Sequence, residues 1–85
     1  MSMTATTYLA HFKQVKAYLD GHPDASGELR QAHEVDGAAF KAAYTPEALK
    51  QALASGATVD VNLEDRITST LLLLNRERAR RGARS

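Results

Sequence analysis

The sequence predicts an all-α fold: a small compact bundle of four helices, or five if Gly37 breaks the second. Three observations predict it. Apolar side chains recur at a spacing near 3.6 residues in the first and last parts of the chain. Breaks rich in Gly and Pro cut the remainder into pieces of helical length. The one β-prone stretch, residues 57–61, is too short to build a sheet.

The first helix is expected over 4–19. Tyr8, Phe12, Val15 and Leu19 fall at i, i+4, i+7 and i+11, one face of a helix. Asp20-Gly21 closes it, with Gly21 suited to a left-handed C′ position and Pro23 reinforcing the stop. After the loop at 21–27, a second helix is expected over 28–44. Gly37 weakens it by about 1 kcal/mol relative to Ala; a continuous helix is expected, and the Ala-rich stretch from Ala38 to Ala43 has high helix propensity whether or not it breaks there. Thr45-Pro46-Glu47 is the clearest local signal. It supplies an N-cap, a preset φ at N1 and a first-turn carboxylate for a third helix over 46–55, which Gly56 ends. Residues 57–61 form a connector whose valines reach the core. Asn62 then caps the last helix, 62–80, where Leu63, Ile67, Leu71 and Leu74 share a row. The expected core is Leu9, Phe12, Val15, Leu19, Leu29, Phe40, Leu49, Leu53, Val61, Ile67, Leu71 and Leu74. Tyr8, Tyr18 and Tyr44 are expected half-buried, with their hydroxyls in water.

With 85 residues there is room for one domain, expected over 1–81 with a short basic tail at 82–85. The chain has no Cys, which excludes a disulfide framework, a thiolate metal site and a cysteine nucleophile. No leader is visible, and the longest apolar run, Leu71 to Leu74, is far short of a membrane span. A cytoplasmic protein without membrane association is the expectation.

Formal net charge is only +1, yet the charges are unevenly placed. Residues 76–85 carry five Arg against one Glu, whereas residues 1–75 carry six basic and nine acidic side chains.

Candidate chemistry is sparse. His11, His22 and His33 lack the Glu-x-x-His or His-x-x-x-His spacing of helical metal sites, so no metal and no cofactor is expected. There is no nucleophile elbow and no Gly-rich phosphate loop. The adjacent Glu64 and Asp65 are explained by the first turn of a helix. Catalysis is therefore not expected.

The remaining signal is an excess of Leu on the last helix. Four consecutive leucines cover more than half its circumference, so a single helix–helix contact leaves some of them uncovered. The expectation is a non-enzymatic protein–protein interaction module, such as an adaptor, chaperone, immunity-type inhibitor or regulatory subunit. It would use Leu72 and Leu73 with Arg76, Arg78 and Arg80 as the polar rim, and its partner would be another protein chain, a second copy of itself included. The alternative is nucleic-acid binding through a helix-turn-helix-like C-terminal half and the Arg-rich tail. Against it stand the long connector and the acidic first turn of the last helix.

Overall fold

The computed structural model describes residues 2–83 and contains four helices: α1 (Ala5–Gly21), α2 (Gly27–Ala43), α3 (Pro46–Ser55) and α4 (Val61–Ala83). Three of the four starts are set by a hydroxyl. Thr4, Ser26 and Thr45 each accept a hydrogen bond from the backbone N–H three residues on, satisfying a donor that the helix itself leaves unpaired. The fourth start is set by Asp60, whose Oδ1 accepts from Asn62 N–H at 2.7 Å and whose carbonyl accepts from Glu64 N–H. The cap of α4 is therefore Asp60 rather than Asn62.

The helix ends also differ from expectation in one place. Gly56 adopts φ 70°, the left-handed conformation that closes α3. Gly21 does not: it stays within α1, and the chain leaves through His22 at φ −133°. Helix α2 runs unbroken through Gly37, whose hydrogen faces the Phe12 ring at a distance a Cβ would fill without a clash.

Three long helices form the bundle and the short one closes an end. Phe12 meets His33 and Tyr8 meets Phe40, so α1 and α2 run antiparallel. Met3 N–H donates to Glu64 and Tyr18 to Glu77, so α4 runs parallel to α1. Returning the chain to the start of α1 is the task of α3 and the connector, and α3 packs against α1. The connector is not unpaired as expected. Val59 N–H donates to the Met3 carbonyl and Ala5 N–H to the Ala57 carbonyl, making a single bridge between Thr4 and Thr58.

The core has two halves. Near the α1 N-terminus, Ala5, Tyr8, Ala52, Val59, Leu63 and Ile67 are buried, with Phe12 and Phe40 stacked beside them and Tyr44 tilted against Phe40. At the other end, Val15, Tyr18, Leu19, Ala25, Leu29 and Leu74 are buried under Leu71 and Leu73. Between them Thr70 Oγ1 lies 2.6 Å from the buried Asp36 Oδ2 and 3.0 Å from the Arg66 carbonyl. Burial raises the Asp36 carboxyl above its ordinary value, an effect only partly offset by Thr70, His33 and Arg66. A hydroxyl has one proton to give. When Asp36 is protonated it can donate to Thr70, leaving Thr70 free to donate to Arg66, and both contacts are satisfied at once.

Several expected burials are revised. Val61 is 64 % exposed, because it opens α4 on the outward side while Val59, two residues earlier, takes the core position. Leu9, Phe12, Phe40, Leu49, Leu53 and Leu71 are only partly buried. Tyr8 and Tyr18, expected at the rim, are inside. Among the described residues no helix is long and apolar enough to cross a membrane. Helix α4 continues through Gly82 to Ala83, and Arg84 and Ser85 of the expected tail lie outside the described residues.

Candidate interaction surface

Among the described residues helix α4 carries more cations than any other helix, and it distributes those of its C-terminal half over two flanks. On the flank facing α1 they are consumed internally. The Tyr18 hydroxyl donates to Glu77 Oε2 at 2.6 Å, and Ser26 N–H donates to Glu77 Oε1 at 2.9 Å. Arg81 approaches the same carboxylate at 3.5 Å and pairs with Asp24 at 3.1 Å. Arg78 and Arg81 place their guanidinium groups 5.7 and 5.8 Å from the Tyr18 ring centroid. His22 stacks on the same ring at 4.0 Å, and its Nδ1–H donates to the Tyr18 carbonyl at 2.8 Å.

Glu77 is 4 % exposed. Burial by itself would raise its carboxyl, and that is the largest single influence. The bonds from Tyr18 and Ser26, with the Arg81 charge, together outweigh it and hold the group at about 2. Tyr18 is pushed up, by burial first and then by its bond to Glu77. Asp24 is held down by the Arg81 guanidinium. This cluster clamps the 22–26 loop and α1 onto α4. In the cleft of about 260 Å³ that it lines, Asp24, Glu77 and Arg81 are committed to one another, and Arg80 stands at the same cleft without an ion pair among the described residues.

On the outward flank the residues are not committed. A shallow groove of about 420 Å³ runs between α2 and α4. Its apolar lining is Ala32, Leu72 and Leu73; Glu28 and Gln31 line it from α2, Ser69 and Arg76 from α4. It continues past Arg76 into a second hollow of about 380 Å³ that reaches Ala79 and Arg80. Leu72 is 58 % exposed, and Val35, three residues beyond Ala32 on α2, is also exposed. Arg76 and Arg80, four residues apart on this face, make no hydrogen bond or ion pair among the described residues.

Of the residues expected at an interface, the structure brings together Leu72, Leu73, Arg76 and Arg80. Leu73 is half-buried and Leu72 exposed, so the two contribute differently. Arg78 is not among them, since it lies over Tyr18 on the α1 flank. Residues that sequence reasoning passed over are Asp36, Thr70 and Glu77, all buried. A signal for them existed. The row Leu63, Ile67, Thr70, Leu74, Glu77 keeps the spacing i, i+4, i+7, i+11, i+14, which marks two polar residues as inward-facing.

The three histidines are apart: His11 is half-buried on α1, His22 is on Tyr18, and His33 lies against Phe12 at 4.8 Å. Among the described residues no group of three or more His, Cys, Asp or Glu is placed to hold a metal ion. Comparison with protein-family models, with curated proteins and with solved structures found no match to this chain.

Proposed function

We propose that this chain is a small non-enzymatic protein–protein interaction module that docks through the outward face of α4 and the adjoining groove on α2. The observation that carries the reading is the position of Leu72. It stands more than half exposed beside Ala32 and Leu73, with Arg76 and Arg80, which make no ion pair among the described residues, along one edge. A single exposed Leu is ordinary. A Leu that continues a groove lined by Ala32 and Leu73 and ends in uncommitted cations has the anatomy of an interface: an apolar centre with a polar rim.

The nucleic-acid reading has less in its favour. Arg78 and Arg81 already serve Tyr18, Asp24 and Glu77. Helix α3 packs on α1 rather than serving as the supporting helix of a recognition element. The exposed Asp65 also stands on the same face of α4 as Arg76, where it would repel phosphate.

The test is a photo-crosslinking amino acid at position 72 of the full chain, in cells, with position 54 on α3 as control. A discrete adduct specific to position 72, weakened by Arg76→Glu, is expected. Adducts no different from those of the control position would contradict the reading.

A further inference from the structure

The exposed face of α4 has a pattern that names its occupant. Asp65, Ser69, Leu72, Arg76, Ala79 and Arg80 form one stripe along the helix, and all six are exposed. An acid stands toward the N-terminal end and two arginines toward the C-terminal end. The large apolar residue is in the middle, with Ser69 and Ala79, both small, spacing the rest. At 1.5 Å per residue Asp65 lies about 10 Å before Leu72 and Arg80 about 12 Å after it.

In an antiparallel pair of helices, positions equidistant from the crossing point face one another. If two copies of this stripe cross at Leu72, Leu72 meets Leu72. Arg76 then lies over Ser69, where the small side chain leaves room for the guanidinium. Arg80 falls opposite Asp65, within about 2 Å of matching height. No side chain of like charge is opposed along the stripe, and the two ends make the same ion pair twice.

We infer that the docking surface of α4 is an isologous interface, and that its occupant is a second copy of this chain in antiparallel orientation. The inference rests on the interaction-module reading above and adds the identity and register of the partner. Two further observations fit it. Asp65 and Arg80 have no ion pair or hydrogen bond within the described chain, so each is available across a two-fold axis. The chain's accessible surface is 5594 Å², of which a standard interface of about 800 Å² per partner would take about one-seventh. The stripe that would cross its copy spans about 22 Å of α4, from Asp65 to Arg80.

A charge exchange tests both identity and register. Dimer dissociation constants are measured by sedimentation for the native chain, Asp65→Arg, Arg80→Asp, the Asp65→Arg/Arg80→Asp double variant and Leu72→Glu, with helical signal as the control for folding. Each single charge variant opposes like charges twice and should weaken the dimer about tenfold. The double variant restores opposite charges and should return to within about threefold of the native value. Leu72→Glu should weaken it at least thirtyfold, as loss of a central apolar anchor does. A native chain that is monomeric into the hundreds of micromolar overturns the proposal. So does a dimer that the charge variants leave unchanged, or one that the double variant fails to restore. The crosslinked adduct at position 72 separates this failure from failure of the interaction reading. An adduct of twice the chain mass supports both, a discrete adduct of any other mass overturns only the second-copy proposal, and no specific adduct overturns both. The charge variants remain decisive even if Leu72→Glu disturbs folding, because Asp65 and Arg80 are both exposed.

Discussion

The two flanks of α4 are built from the same residue types and use them oppositely. On the α1 flank Glu77, Arg78 and Arg81 are tied to Tyr18, Ser26 and Asp24. On the outward flank Arg76 and Arg80 have no such partners among the described residues, and Leu72 is 58 % exposed. The difference comes from what faces each flank. The 22–26 loop supplies a backbone N–H and an acid to one side, and solvent faces the other. A basic, Leu-rich helix end is thus half structural and half available, and a count of its arginines does not separate the halves.

The largest expected effect contrasts two leucines. Leu74 is fully buried and Leu72 more than half exposed. Leu74→Ala should cost about 2–5 kcal/mol by denaturant unfolding. Leu72→Ala, measured on the monomer at high dilution, should fall within about 0.5 kcal/mol of native. Equal losses would erase the distinction between the flanks.

Next in size is the clamp. Glu77→Ala should cost about 3 kcal/mol, since it leaves Tyr18 and Ser26 N–H without their acceptor. Arg76→Ala and Arg80→Ala should each stay within about 0.5 kcal/mol of native. The Glu77 contribution has a defined pH window. Its carboxyl is held at about 2 in the fold against an ordinary 4.5. A depressed folded value means the stabilisation is complete above the unfolded value and is lost as pH falls from about 4.5 toward 2. Unfolding curves of native chain and Glu77→Ala should converge across that window, and curves that stay parallel would remove Glu77 from the clamp.

The two buried tyrosines sharpen the same contrast inside the core. Tyr18 donates to Glu77, whereas the Tyr8 hydroxyl has no hydrogen-bond partner among the described residues. Tyr18→Phe should cost about 1–2 kcal/mol and Tyr8→Phe about zero or a slight gain. Burial, then Asp36 and Tyr44, push the Tyr8 hydroxyl up to about 12 from 10.0. That stability is present below pH 10 and is lost as pH rises toward 12, so the native chain should weaken in that range more than Tyr8→Phe does.

The smallest effect is at Asp36. Burial raises its carboxyl, so the ionised form is the disfavoured one in the fold. Asp36→Asn should be as stable as native, or up to about 1 kcal/mol more stable at neutral pH. The difference should vanish as pH falls and Asp36 itself protonates. A clear loss at neutral pH would show that the ionised carboxylate is needed by Thr70.

Much of the fold was legible in the residues, and the reasons are local. Helix α3 matches its expected limits because Thr45, Pro46 and Gly56 act on their own backbone. Helix α2 continues through Gly37 into the Ala-rich stretch from Ala38 to Ala43, whose helix propensity is a local property. Burial was less legible because it depends on distant chain. Val59 and Val61 look equivalent in the sequence, but only Val59 is fixed inward, through its bond to Met3. Tyr18 and Glu77 read as a rim residue and a solvated charge until α1 and α4 are set side by side, where each satisfies the other. The interface candidates Leu72, Arg76 and Arg80 were visible as surplus on the last helix. The removal of Arg78 from that set was not, because it depends on the Tyr18 ring one helix away.

The most direct test of the central claim is the solution mass of the native chain and of Leu72→Glu over the same concentration range, with thermal unfolding of both. The account predicts a native dimer whose melting temperature rises with concentration, and a Leu72→Glu monomer of native helicity whose melting temperature does not. Two monomers with identical, concentration-independent melting would contradict it. So would a Leu72→Glu chain that fails to fold, which would place Leu72 in the core.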